Sequence, residues 1–357
     1  AGPARRVIQA RGSSTEAPPS EVIRNNAFLL AGIIGGGFAI WRGFIAERQA
    51  TTAEQGLFTE RYTKAVEQLG VERTIKKMVN DHIQEYTAPN IEVRLGGVYA
   101  LERIALDSER DLKTIAGVLG AYVRENATAR SAGEFSSPRI DNPGDYARRR
   151  NEMADQIPPP RVDTQTAVRA LGKLALHART TRANKAADDR SLIDLRNTNL
   201  RRMDLSGVFL AGARLTGSQM QLCHLNSANM SDAFLFAAGL QHADLRRAKL
   251  VWADLRHAHL EAANLDGADL TGADLSAVSV DGATSMDGSI VWQAAIREAD
   301  RTTTTLRQHQ IDSMFGDRET VTLPKGIKVP EHWKSYDDDA DFYEAWRAEK
   351  AKHGLAD

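Results

Sequence analysis

From Leu195 to Leu275 a Leu or Met stands at every fifth position without a break, Met220 and Met230 among them, and Val280 follows in step. A period of five matches neither the 3.6 of an amphipathic helix nor the 2.0 of a strand. A second series keeps time with it. Two residues before each large apolar side chain sits a small one, most regularly from Ala228 through Ala233, Ala238, Ala243 and on to Ala273, with Met203, Val208, Ser218 and Cys223 as departures. Only two positions in five are specified, the pattern of a solenoid whose short units bury a continuous core by stacking on one another.

Stretches such as ANLDGADLTGADLSA have the form A-[D/N]-L-x-x, which resembles the pentapeptide-repeat family. The resemblance implies a right-handed quadrilateral β-helix over residues 191–285. With four repeats per coil, residues twenty apart stack, so Leu195, Leu215, Leu235, Leu255 and Leu275 form one internal ladder. The series predicts roughly four and a half coils, on the order of 22 Å at the ~4.8 Å strand spacing. The Ala column marks where the narrow tube admits only a small side chain.

The chain is 42% hydrophobic and 26% charged, with a formal net charge of -1, which describes a folded protein and offers nothing global to draw it to nucleic acid. The single cysteine, Cys223, lies in one of the small inward slots and reads as a buried hydrophobe in a reducing compartment.

Residues 27–46, AFLLAGIIGGGFAIWRGFIA, are apolar except for Arg42, and as a helix they cover most of the ~30 Å hydrocarbon layer. They read as a transmembrane helix, with Arg42 and Trp41 at the interface. Gly32 and Gly36 place small residues on one face, which suits close packing against another membrane helix. Basic residues are nearly balanced on the two sides. The scarcity of cysteine and the family resemblance favour a single-pass protein of a bacterial inner membrane with its bulk in the cytoplasm. The Arg-rich, acid-poor stretch before Glu16 keeps an organellar membrane as a minor alternative.

The remaining segments complete an α+β organisation. Residues 1–26 form an N-terminal segment and 47–130 a helical domain, in which 47–86 reads as an amphipathic helix and ERTIKKMVND as its solvent-facing part. Beyond Pro89, Val93, Val98, Leu101 and Ile104 line one helix, and Ile115, Val118, Leu119 and Tyr122 the facing one. Residues 131–160 are rich in Pro, Ser, Gly and charge and read as a linker or long loop. Residues 161–190 bring a helix at 164–178 into the solenoid. Residues 286–357 supply capping helices at 290–299 and 308–315 and a C-terminal helix with Phe342, Tyr343 and Trp346 along it. The helices look HEAT-like. The segments KAVEQLG, NIEVRLGGVYALERIA, QIDSMFGD and LPKGI…PEHW extend the resemblance to bacterial membrane-tethered pentapeptide-repeat proteins, which implies no defined activity.

No phosphate loop, dinucleotide fingerprint or zinc spacing is present, and no catalytic, cofactor-binding or metal-ligating residue is assigned. His224, His242, His257 and His259 fall in different repeats and need not converge. Asp244, Asp254, Asp269 and Asp274 recur with the repeat, as groups that satisfy turn backbone do. Outward aromatics are the more informative signal. Phe234 and Phe236 flank inward Leu235, and Phe209 and Trp252 also lie outside the core slots; all four read as a protein-binding patch or as packing beneath the flanking segments.

The expected function is a non-enzymatic, membrane-anchored scaffold or accessory subunit. It binds a protein partner, an integral membrane protein or complex, with self-association as the other option and no nucleic acid. Regulation of a DNA topoisomerase by DNA mimicry is the second reading, although Arg196, Arg201, Arg214, Arg246 and Arg256 interrupt any acidic stripe. An enzyme with its site in the helical domain is the third.

Overall fold

A computed structural model describes residues 48, 56–79, 82–129, 146–181, 192–300 and 305–354. The chain divides into two units, Ala1–Glu60 and Arg61–Asp357. In the first, residues 48 and 56–60 are helical; the second opens with helical residues 61–69, denoted α1. The apolar segment 27–46, including Gly32 and Gly36, lies outside the described residues. Among those described, no helix is long and apolar enough to cross a membrane.

The helix expected to run to residue 86 stops at Gly70, whose N–H closes on the Glu67 carbonyl. An antiparallel ribbon replaces the rest, strand β1 over Glu72–Val79 and β2 over His82–Pro89. Thr74, Ile75, Val79, Ile83, Tyr86 and Thr87 are β-branched or aromatic, and that content outweighs the charges read as helical.

Helix α2, Ile91–Asp107, is capped by Asn90, whose side chain accepts the Val93 N–H. Ser108 alone separates it from α3, Glu109–Asn126. Both pack on α5, Val162–Thr180, around fully buried Leu101, Ile115, Leu119, Leu171 and Leu174. Tyr122 of α3 donates to the buried Asp163 carboxylate of α5, which Arg161 also holds. The described part of the expected linker forms α4, Tyr146–Gln156: Met153 and the following Ile157 lie on Leu222, and Arg202 donates to the Ala154 and Ile157 carbonyls. Two apolar side chains four apart hold this otherwise polar helix on the solenoid.

Every fifth residue of the solenoid bridges to the one twenty positions on. This gives four outward columns: Asp194–Arg214–Phe234–Asp254–Asp274, Asn199–Gln219–Gly239–His259–Ser279, Asp204–His224–Asp244–Asn264 and Phe209–Asn229–Lys249–Asp269. The Leu or Met after each bridging residue points inward, and the ladder from Leu195 to Leu275 is buried throughout. At each corner the N–H three residues beyond a core residue returns to its carbonyl, as Ala238 does to Leu235. The second corner residue has positive φ, 54° at Asn197 and 53° at Ala237, the geometry of a type II turn.

Val280 keeps the phase but is only half-buried, and one extra residue follows it: Asn264 bridges Ser285, twenty-one positions on. Asp281 accepts the Ala262 N–H and Thr284 donates to the Leu260 carbonyl, so the insertion leaves the preceding coil paired. The rungs then resume with Met286, Val291 and Ile296 inward. The helix expected at 290–299 is therefore coil, containing strands β3, Ala295–Ile296, and β4, Ala299–Asp300. Of the helix expected at 308–315, only α6, Gln308–Ile311, forms; β5, Phe315–Gly316, pairs in parallel with β3, and β6, Val321–Thr322, with β4.

Both ends of the tube are covered. At the first coil Thr128 bridges Thr198, while Ala129 and Asn199 exchange backbone bonds with Asn197 and Ala127. Helix α5 meets this coil at Gly172, where an added Cβ would lie 2.5 Å from Val208 Cγ1 and 3.1 Å from the Phe209 carbonyl oxygen. At the far end α7, Asp339–Lys352, seats buried Phe342 and Trp346 against Ala295, and Trp346 donates to the Gln293 carbonyl.

Candidate interaction surface

The repeat assigns each residue a place before its chemistry is considered. A bridging Asp or Asn accepts the N–H two residues on, as Asp244 does from Arg246, Asp254 from Arg256, Asp269 from Thr271 and Asp274 from Ser276. This Asx turn is why these positions recur as Asp or Asn. When the residue two on is Arg, its guanidinium also closes on the same carboxylate with two bonds, at 2.9 and 2.8 Å for Asp194–Arg196, 2.8 and 2.6 Å for Asp244–Arg246, and 2.8 and 2.8 Å for Asp254–Arg256. The Arg196 bond holds Asp194 below its usual range, and the Arg246 bond does the same for Asp244. In these three repeats each carboxylate is matched by its own Arg, which interrupts an acidic stripe along their columns.

The four outward aromatics separate into two groups. Phe234 and Phe236 are 41% and 37% exposed, the first on the face of its column and the second at the corner that follows. The Phe236 ring meets His257 edge-on at 5.2 Å, and the Arg256 guanidinium lies 5.8 Å from its centroid. Arg256 is also 5.8 Å from the ring of Tyr343 on α7, so the aromatic ledge borders that helix. Phe209 and Trp252 do not join it. Phe209 is half-buried, with its backbone against Gly172 and Arg179 5.7 Å from its ring. Trp252 lies at a corner with φ 63°, over Gly272, where an added Cβ would come within 2.6 Å of the indole. Lys350 of α7 covers it at 4.3 Å. Both rings thus lie beside a flanking helix, Phe209 near Arg179 of α5 and Trp252 beneath Lys350 of α7.

On the solenoid, two further exposed apolar residues carry no mark in the regular five-residue series, Ile290 at 52% and Trp292 at 38%. They flank inward Val291 just as Phe234 and Phe236 flank Leu235. The spacing of Met286, Val291 and Ile296 marks them, once the extra residue after Val280 is allowed for.

An open polar hollow of about 500 Å³ lies between α4 and the third column, lined by Arg150, His224, His242, Asp244 and Arg246 among others. His224 is 3.5 Å from Arg150, and Asp244 is already closed by Arg246. His242 is almost fully buried, and burial pushes its pKa down to about 4. His257 belongs to the aromatic ledge, and His259 pairs with Glu261 at 3.5 Å. The four imidazoles thus have four different settings, and among the described residues no group of His, Cys, Asp and Glu is arranged to hold a metal ion. Cys223 fills its inward slot with Sγ 2.8 Å from the Leu200 carbonyl oxygen, and burial pushes its thiol up to about 12.

The family model for pentapeptide repeats matches eight copies, over residues 193–232 and 243–282. The chain carries a pentapeptide-repeat domain. The coils of that domain continue in the structure through Ile296, into a stretch where the apolar series has changed phase. Among solved structures, the chain is similar to the pentapeptide-repeat protein Rfr23 from the cyanobacterium Cyanothece 51142, at 23% identity over 29% of this chain and 87% of that one, with a TM-score of 0.20. It is similar to QnrB1, a plasmid-mediated fluoroquinolone resistance protein, at 18% identity over 47% of this chain and 93% of that one, with a TM-score of 0.26. A pentapeptide-repeat protein of the Arabidopsis thaliana thylakoid lumen shares 29% identity over 37% of this chain and 80% of its own length, with a TM-score of 0.16. Comparison with curated protein sequences finds no significant match.

Proposed function

We propose that this protein is a non-enzymatic scaffold, anchored in a membrane by residues 27–46, whose pentapeptide-repeat domain holds a protein partner through the ledge of Phe234 and Phe236. The exposure of these two rings on a stiff, charge-balanced column carries the reading. A β-helix is fixed by its coil-to-coil pairing, so the rings are presented without a large ordering cost, and aromatic side chains beside an Arg are favoured anchors of protein interfaces. Gly32 and Gly36 would let the anchor pack closely on a membrane partner. Placement in a bacterial inner membrane with the bulk in the cytoplasm belongs to the same proposal.

The two other functions have less to build on. A DNA mimic draws on an uncompensated row of carboxylates, whereas Asp194, Asp244 and Asp254 are each matched by an Arg in their own repeat. An enzyme sited in the helical domain would turn to its buried polar cluster, Tyr122, Asp163 and Arg161. Burial, with the hydrogen bond to Asp163, pushes the Tyr122 hydroxyl up to about 12, out of range for proton transfer near neutral pH. That cluster serves to tie α3 to α5.

The test uses the intact chain recovered from membranes in mild detergent, compared with the double variant Phe234→Ser/Phe236→Ser. Removing two anchors of this type weakens a complex by about tenfold or more, so a co-purifying membrane protein should be lost from the variant while its thermal unfolding stays near that of the parent. Equal recovery of the partner, or an intact chain found wholly outside the membrane fraction, would overturn the reading.

A further inference from the structure

Among the described residues, the ribbon of β1 and β2 stands largely exposed. No residue of either strand is fully buried, and its apolar side chains point both ways: Ile75 pairs with Tyr86 on one face and Met78 with Ile83 on the other. Met78 and Ile83 are each 65% exposed and Tyr86 is 48% exposed. An isolated two-stranded ribbon is marginally stable in water, and an uncovered strand edge is a template for pairing.

The register identifies which backbone groups each strand turns outward. Asn90 donates to the Val71 carbonyl directly opposite, so by alternation the ladder bonds fall on Arg73–Ala88, Ile75–Tyr86, Lys77–Gln84 and Val79–His82. Glu72, Thr74, Lys76 and Met78 therefore turn their backbone N–H and C=O groups outward from β1, and all four are exposed. The outward residues of β2 end at Pro89, which has no N–H to give.

We infer that β1 is a homodimerisation edge, on which a second copy of this chain pairs antiparallel about a two-fold axis at Thr74. In that register Glu72 faces the partner's Lys76 and Lys76 faces the partner's Glu72. Lys76 already pairs with Glu85 across its own ribbon at 2.7 Å. Each outer row of the resulting four-stranded sheet thus reads Glu85, Lys76, then the partner's Glu72, with charges alternating in sign. The central row is Thr87, Thr74 and the same two residues of the partner, a ladder of β-branched hydroxyl side chains. On the opposite face Arg73 lies across from the partner's Ile75, beside the partner's Tyr86. Opposite charges and Thr pairs placed directly across strands are favourable, and like charges are not. Neighbouring registers lose this match. An axis at Ile75 sets Glu72 against Met78, and an axis at Lys76 sets the two lysines against each other.

Two variants of the full chain, purified in detergent, test the dimer. Thr74→Cys places two thiols on the axis, about 5.5 Å apart between Cα atoms, within reach of a disulfide. Native Cys223 is buried and does not compete. Mild oxidation should convert most of this variant to a covalent dimer, whereas Glu85→Cys, on the far edge of the ribbon, should remain mostly monomeric on a non-reducing gel. Thr74→Pro removes an outward N–H without touching a ladder bond of the ribbon, and it should shift the mass measured by light scattering from dimer to monomer. A parent chain that is monomeric at tens of micromolar, a Thr74→Cys variant that does not cross-link, or a Thr74→Pro variant that stays dimeric would each overturn the assignment. The last two results would point to an association made elsewhere, such as at Gly32 and Gly36. Loss of the membrane partner with Phe234→Ser/Phe236→Ser is a separate readout, so either proposal can fail without the other.

Discussion

His242 occupies a coil corner with φ 58° and 1% of its surface exposed. Burial, opposed by Asp281 and Glu261 and reinforced by Arg150, lowers its pKa from 6.5 to about 4. Above pH 6.5 the ring is neutral in both native and unfolded chains and contributes no pH dependence. Between 6.5 and about 4 the unfolded chain takes up a proton that the native chain refuses, so stability falls as the pH falls. The loss is complete below about 4, at about 3 kcal/mol. His242→Asn keeps a residue tolerant of the left-handed corner and removes the titrating group. Urea unfolding should therefore show the parent losing about 2 kcal/mol more than the variant between pH 7 and pH 5; equal losses would mean that the native ring takes up its proton normally. The sequence displays this histidine among three others and gives no sign of its difference. Its corner position is legible from the repeat, but the burial comes from what the fold lays around that corner.

At the scale of elements, the period of five was readable because two positions in each repeat are chemically constrained. The elements that departed from expectation are those where that constraint lapses. The rungs of Met286, Val291 and Ile296 keep the spacing, but one residue out of phase and with Thr284 and Ser289 among the small partners, so the repeat is masked there. The β1–β2 ribbon resembles helix in sequence because its charges are spaced as on a solvated helix and almost nothing in it is buried. Helix α4 was hidden in a polar stretch, since two apolar contacts on Leu222 are too few to create a period. The natural insertion suggests a direct comparison. The extra residue after Val280 is tolerated because Asp281 and Thr284 serve the backbone of the preceding coil. No such side chain lies next to Leu235, where Phe236 and Ala237 make the corner. One Gly inserted after Leu235 should cost about 3 kcal/mol or more, the scale of a lost core Leu or of orphaned buried backbone groups. One Gly inserted after Gly282 should cost about 1 kcal/mol or less, as an exposed loop change does. Denaturant midpoints of the two variants provide the check, and similar midpoints would mean that the ladder does not depend on phase at Leu235.

For the whole molecule, a stack of parallel rungs has two open ends, and each uncovered end is a sheet edge. The first coil is closed by residues 127–129 and by α5 at Gly172. The far end depends on α7. Its Phe342 is fully buried against Ala295, its Trp346 donates to the Gln293 carbonyl, and its Asp339 holds Arg297, whose other partner is buried Asp317. The same helix brings Tyr343 beside Arg256 and Lys350 over Trp252, so it also forms one wall of the Phe234 and Phe236 ledge. Ending the chain at residue 337 would uncover Phe315 and Ala295, widen the apolar surface next to the ledge and leave Arg297 with one carboxylate. Removing a buried Phe costs about 3–5 kcal/mol in a core, and loss of Trp346 with it should bring the far coils close to unfolding while the ladder around Leu215 and Leu235 stays paired. The truncated chain should therefore keep most of its β-helix circular dichroism, bind a hydrophobic dye, unfold at a lower temperature and form assemblies larger than those of the intact chain. Phe342→Ser in the full chain should show the same changes in milder form. A truncated chain with the parent's unfolding temperature and assembly size would mean that the last coils close the tube themselves and that α7 serves only as a wall of the ledge.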